Sequence, residues 1–78
     1  MNKDIELFLY TRSDCSLCDV FKEQLEIRGL NYQLIDIEFD PELRQRYGAR
    51  IPVLVAGNIE VCEGRFDSQR IDAHMIDN

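Results

Sequence analysis

No run of some 18 apolar residues, the length at which a helix begins to span a bilayer, occurs in the chain. No apolar leader follows Met1, so neither a membrane span nor an export signal is expected. Basic residues are scarce: 9 Lys and Arg stand against 15 Asp and Glu, a formal net charge of −6. Nucleic acid would meet repulsion rather than a basic footprint and is not an expected partner. The acids are scattered rather than blocked and read as a solvated face. Cysteine is sparse and odd in number, at three. That argues against a secreted disulfide scaffold and for a reducing compartment, so a cytoplasmic location is expected. Zinc sites favour paired short spacings of Cys or His, whereas Cys62 and the single histidine, His74, each stand alone. No metal is expected. Nor does any repeat, linker or low-complexity stretch divide the chain.

What is present is one minimal domain, residues 1–78, with 45% hydrophobic and 31% charged residues. A chain of this size buries only about two-thirds of the surface its unfolded form exposes, so every element must share one core.

The stretch that organises the remainder is Cys15-Ser16-Leu17-Cys18. It follows the apolar run Ile5-Glu6-Leu7-Phe8-Leu9-Tyr10 and opens a helical pattern that continues to Arg28. A strand that ends in a short loop and delivers two thiols to a helix start places one of them among unpaired amide groups. Turning the helix at roughly 100° per residue sets Cys18 on a stripe with Leu17, Phe21 and Leu25. Cys15 falls instead with Asp19, Lys22 and Glu26. One sulfur is expected to face the core and the other water. The helix N-terminus carries about half an elementary positive charge, which favours a thiolate. Cys15 is therefore the candidate nucleophile and Cys18 the resolving thiol. Arg12 adds to this effect if it points inward; Asp14 and Asp19 oppose it by like-charge repulsion.

Taken in order, residues 5–10 alternate in the manner of a first strand, and Gly29 can adopt the left-handed conformation that ends the first helix. Residues 31–37 read as a second strand, parallel to the first because a helix joins them. Asp40 and Pro41 supply a cap and a first helical residue, and Gly48 a stop, for a short helix over residues 41–47. Ile51-Pro52 introduces Val53 to Ala56, and Gly57-Asn58 turns the chain into Ile59 to Cys62, a strong hairpin pattern. Asp67 or Ser68 caps a last helix that runs through Met75. The predicted order is β-α-β-α-β-β-α.

With these residues in place, the chain resembles a small thioredoxin-fold protein of the glutaredoxin-like family, from Ile5 to about Ile71. Tyr10-Thr11-Arg12-Ser13-Asp14-Cys15-Ser16-Leu17-Cys18 resembles the glutaredoxin active-site segment, including a basic residue three positions before the first cysteine. Tyr47-Gly48-Ala49-Arg50-Ile51-Pro52 resembles the thioredoxin segment that leads to its cis-proline. Val55-Ala56-Gly57-Asn58 and Gly64-Arg65-Phe66-Asp67 are similar to the redoxins that serve ribonucleotide reductase. The resemblance implies an α/β thioredoxin/glutaredoxin-like fold with a four-stranded mixed sheet, and a dithiol-disulfide oxidoreductase working through Cys15 and Cys18. It implies further that Pro52 is cis, that Ile51 pairs with substrate main chain, and that Arg12, Ser16 and Leu17 border the bound partner. Arg65 either recognises a carboxylate there or is a solvated loop arginine.

Two departures bear on the reductant. The dipeptide between the cysteines is Ser16-Leu17, not the Pro-Tyr common in glutaredoxins, and their Gly-Gly-x-Asp-Asp loop is replaced by Glu63-Gly64-Arg65-Phe66-Asp67-Ser68. That loop is the anchor for the γ-glutamyl end of glutathione in the resembled family. Either glutathione or a thioredoxin reductase would serve as external reductant, and the altered loop points to the flavoenzyme as the more efficient. An apolar group such as Leu17 or Phe66 beside Cys15 suits docking on a disulfide-containing protein substrate. No bound cofactor and a monomeric state are expected. The alternatives are a redox-inactive interaction module and a metal-binding one that draws on Cys15, Cys18, Cys62 and His74. Cys62 itself is either a small strand residue or a third thiol near Cys15.

Overall fold

A computed structural model of the chain describes residues 6–75; Ile5, read above as part of the first strand, lies outside them. Strand β1 (Leu7–Thr11) carries the expected alternation, with Leu7, Leu9 and Thr11 buried and Phe8 and Tyr10 partly covered. Helix α1 (Ser16–Ile27) begins one residue later than the helical pattern, because Cys15 is its N-cap in extended conformation. Its buried residues, Cys18, Phe21 and Leu25, follow a spacing of three and four and form one stripe. Leu17 does not belong to that stripe: it is 50% exposed. A single residue step turns it off the covered face, and in the first helical turn it lines a cleft instead. At the other end Gly29 takes a φ of 70°, and the Leu30 N–H reaches back to the Leu25 carbonyl at 3.0 Å.

Strand β2 (Gln33–Asp36) is shorter than the apolar run that foretold it. Tyr32 is drawn against the core, where its hydroxyl donates to Glu26 at 3.2 Å. Ile37 closes one further bond to the Thr11 carbonyl at 2.9 Å before the chain turns away. Helix α2 (Pro41–Tyr47) has Asp40 as N-cap, its carboxylate accepting the Leu43 N–H at 3.1 Å. Gly48 ends it in a right-handed conformation, where a Cβ would press on the Arg44 carbonyl oxygen. Strands β3 (Val53–Ala56) and β4 (Ile59–Glu63) form the hairpin, with Gly57 at φ 64° in the turn. The pairs Leu54↔Cys62 and Val55↔Glu60 leave Val61 as an extra residue, a bulge on this edge strand. Helix α3 (Ser68–Met75) is capped by Asp67, which accepts the Arg70 N–H at 3.1 Å.

The sheet order is β2-β1-β3-β4, with β1 parallel to β2 and antiparallel to β3. Alternation divides the apolar residues between its two faces. Leu7, Leu9 and Leu54 join Phe21 and Leu25 of α1 and Ile71 of α3 in one cluster. Val53, Val55 and Ile37 join Tyr47 of α2 in the other, where Tyr10 stacks on Tyr47 with ring centroids 4.2 Å apart. Tyr10 is thus a packing residue. Phe66 packs edge-on against Phe21 at 5.2 Å and lies under the Arg28 guanidinium. It is part of the first core and not the free docking group that the sequence offered.

Candidate active site

The parallel register Thr11↔Asp36 brings the carboxyl ends of β1 and β2 side by side. The loop after β1 therefore meets the turn after β2, which is where open α/β sheets hold their ligands. Asp14 in that loop has φ 63°, a left-handed conformation that Asp tolerates better than most residues. It redirects the chain into α1.

Cys15 and Cys18 are joined as a disulfide with Cα atoms 5.2 Å apart. The Cys15 sulfur takes the place of the usual N-cap oxygen and accepts the Cys18 N–H at 3.1 Å. The Cys15 carbonyl accepts the first helical bond, from Asp19 at 3.4 Å. Cys15 is half-buried, whereas Cys18 is 2% exposed. The first cysteine is far more open to solvent than the second. A thiolate at Cys15 would have a backbone donor aimed at it and the positive end of α1 behind it.

A cleft of about 440 Å³ opens over Cys15 and is lined by Arg12, Ser13, Asp14, Ser16, Leu17, Glu38 and Ile51. An adjoining one holds Cys18, Asp19 and Lys22 beside the same loop. The structure thus brings Cys15, Arg12, Ser16, Leu17 and Ile51 together. Pro52 is buried immediately before β3, the Ile51–Pro52 bond is cis, and the Pro52 carbonyl accepts the Gly64 N–H at 2.8 Å. Arg65 lies elsewhere: exposed after Gly64, it lines a third cleft with Cys62, Phe66 and Asp67. Cys62 is 6% exposed within the core of β4, and burial pushes its thiol pKa up. That cleft shares no lining residue with the one over Cys15.

Arg12 faces a carboxylate across the cleft. Its Nε lies 4.0 Å from the Glu38 carboxylate, which also accepts the Ser13 hydroxyl at 3.2 Å. Glu38 escaped the sequence reading, since it lies 23 positions beyond Cys15 and belongs to no motif. The signal that finds it is topological: residues just after a parallel strand face those just after its neighbour. Arg50 was overlooked as well. Its guanidinium donates to Glu60 and Glu63 at 2.7 Å and stands over the Tyr47 ring, tying the segment before Ile51 to β4. Among the described residues no group of three or more His, Cys, Asp and Glu is arranged to hold a metal. His74 Nδ1 instead meets the Arg70 carbonyl of its own helix at 3.0 Å. No helix among those residues is long and apolar enough to cross a membrane.

The glutaredoxin-like domain (DUF836) family model matches residues 6–76. A curated relative, the glutaredoxin-like protein NrdH of Escherichia coli K12, is 32% identical over 59 residues, spanning 70% of this chain and 73% of its own. An X-ray structure of a protein from X. campestris superposes with a TM-score of 0.77 at 37% identity, covering 88% of this chain and 93% of that one. The NrdH-redoxin of Escherichia coli, a glutaredoxin-like protein with a thioredoxin-like activity profile, superposes with a TM-score of 0.71 at 26% identity over 94% and 97% of the two chains. The four-stranded sheet and three helices are a thioredoxin-like fold.

Proposed function

Because the chain belongs to the glutaredoxin-like domain family, we propose that it is a dithiol-disulfide oxidoreductase in which Cys15 is the attacking thiol and Cys18 the resolving one. The observation that carries this reading is the Cys15 sulfur at the N-cap of α1, open to a cleft and within disulfide reach of a buried partner. In the reduced protein the Cys15 thiolate attacks one sulfur of a target disulfide, forming a mixed disulfide and releasing the other sulfur as thiolate. Cys18, deprotonated in turn, attacks the Cys15 sulfur, expels the second target thiolate and closes the Cys15–Cys18 bond. Two electrons pass from the dithiol to the target. The sulfurs alone do this, so no bound cofactor is required.

Ile51 lines the cleft beside Cys15, with cis-Pro52 after it and the Arg50 clip before it. Its backbone is proposed to pair with an extended segment of the target. Leu17, half exposed on the rim, is the apolar docking group, and Ser16 and Arg12 border the bound chain. Arg65, which lines a separate cleft beyond Gly64, is proposed to meet a carboxylate only on a protein partner broad enough to reach past the cleft over Cys15. The protein acts as a monomer on protein disulfides in a reducing compartment, the cytoplasm.

The reductant is proposed to be a thioredoxin-reductase-type flavoenzyme rather than glutathione. The thioredoxin-like activity profile of the Escherichia coli NrdH-redoxin supports it. So does Phe66, which stands where glutaredoxins have a glycine-rich anchor and is committed to the core against Phe21. The test oxidises the protein and follows NADPH consumption in parallel with glutathione plus its reductase and with thioredoxin reductase. Faster turnover with the flavoenzyme is expected. Faster turnover in the glutathione arm at cellular concentrations would overturn the choice of reductant, and no turnover in either would overturn the oxidoreductase.

A further inference from the structure

Glu38 takes no step in the exchange just described, yet it is held at the mouth of the cleft by contacts from three residues. Its own N–H donates to the Asp36 carboxylate at 2.8 Å, which folds the turn after β2 back on itself. Its carboxylate accepts the Ser13 hydroxyl at 3.2 Å and lies 4.0 Å from Arg12 Nε. The ionisable residues lining the cleft over Cys15 are therefore one cation, Arg12, and two anions, Asp14 and Glu38. Arg12 is the one positive charge lining that cleft, and its Nε faces Glu38 at 4.0 Å; in the adjoining cleft that Cys15 also lines, Lys22 is paired with Asp19 at 3.3 Å.

A small thiol reduces the Cys15–Cys18 bond as its thiolate. It attacks the accessible Cys15 sulfur and expels the Cys18 thiolate; a second thiolate then attacks the added sulfur, releasing the Cys15 thiolate and a small-molecule disulfide. Any further negative charge on the reagent enters a cleft whose carboxylates outnumber its cations, and a positive charge is attracted to it. We infer that Glu38 is a specificity-determining residue that selects by charge, holding Arg12 in an ion pair so that neutral and cationic thiols or disulfides are accepted ahead of anionic ones such as glutathione. The inference rests on the oxidoreductase reading and assigns the selectivity of that site to a residue outside its motifs.

The experiment uses the full oxidised chain and four thiols: 2-mercaptoethanol as the neutral reagent, cysteamine as the cation, and 2-mercaptoethanesulfonate and glutathione as anions. Rate constants are expressed per thiolate and compared as ratios to the neutral reagent within each variant. The order cation, neutral, anion is expected for the wild type, with the spread compressed by added salt. Glu38→Gln is expected to raise the anion-to-neutral ratio by about two- to fivefold, the range that exposed ion pairs support. Glu38→Asp, which keeps the charge, is expected to keep the wild-type order. An unchanged ratio in Glu38→Gln, or an equal rise in Glu38→Gln and Glu38→Asp, would overturn the assignment while leaving the oxidoreductase intact. Failure of every thiol to reduce the bond would overturn both.

Discussion

Cys15 and Cys62 carry the same functional group in opposite settings. Cys15 is half-buried at a helix N-cap with the Cys18 N–H directed at its sulfur. Cys62 is buried in β4 opposite Leu54, within the cluster that also holds Phe21 and Leu25. The helix end and the open cleft favour a reactive thiolate at the first, and desolvation raises the pKa of the second. Cys18 combines the two: it is as sheltered as Cys62, but it lies within reach of Cys15, so it meets an internal sulfur rather than a reagent from solvent. Reactivity here is a property of position on the backbone, not of the thiol.

Replacing the thiol at the two positions should therefore have inverse consequences. The largest effect expected is on activity: Cys15→Ser abolishes reduction of a protein disulfide, Cys18→Ser accumulates a mixed disulfide through Cys15, and Cys62→Ala stays within about twofold of wild type, as an uninvolved site should. Trapping through Cys18 in Cys15→Ser would reverse the roles. Stability should move the other way. With the protein reduced, Cys62→Ser buries a hydroxyl in an apolar cluster and is expected to cost about 1–3 kcal/mol by urea denaturation. Cys15→Ser places a favoured N-cap residue where the sulfur now accepts the Cys18 N–H, so a loss of less than about 0.5 kcal/mol is expected. A larger loss at position 15 than at position 62 would break the comparison.

A smaller effect is expected with pH. The thiol pKa of Cys62 is raised in the folded chain, so its contribution to stability is complete below the ordinary thiol value of ~8.5 and is lost as pH rises through the folded value. Reduced wild type should therefore destabilise in mild alkali more steeply than Cys62→Ala, as followed by urea midpoints. Equal slopes would show that burial does not disfavour ionisation at this position. The smallest effect belongs to the clip that links the two regions, in which Arg50, beside Ile51, grips Glu60 and Glu63 on the strand that carries Cys62. Arg50 lowers the Glu60 pKa, so this contribution is present above the ordinary carboxylate range and lost as pH falls through the folded value. Glu60→Gln should cost under about 1 kcal/mol, less in high salt. A salt-insensitive loss of several kcal/mol would mean that the clip acts as core rather than as surface charge.

Much of the fold was legible because its signals are local. Asp40-Pro41 and Gly48 bound α2 at the residues observed, and Gly57-Asn58 turns the hairpin. The spacing of Phe21 and Leu25 foretold the buried face of α1 and with it the burial of Cys18. What escaped was settled by residues distant in sequence. Leu17 left the core stripe because its side of the first turn lines the cleft over Cys15, and Phe66 entered the core because Phe21 receives its edge. Asp14 turned the loop in a conformation that composition does not announce. Glu38 reached the cleft only through the parallel pairing of β1 with β2, and Arg65 was carried to another cleft by the turn at Gly64. The cysteine pair, Arg12 and Asp14 were legible; the carboxylate of Glu38 beside them was not.

The most direct test of the contrast between the cysteines reduces the full chain, treats it with iodoacetamide from about pH 4 to about pH 10, and quantifies each alkylated peptide by mass spectrometry. Cys15 is expected to be modified first, with a midpoint below the ordinary thiol value of ~8.5, and Cys62 last at every pH at which the chain is folded. Modification of Cys62 as fast as Cys15, or a Cys15 midpoint at or above that value, would contradict that contrast.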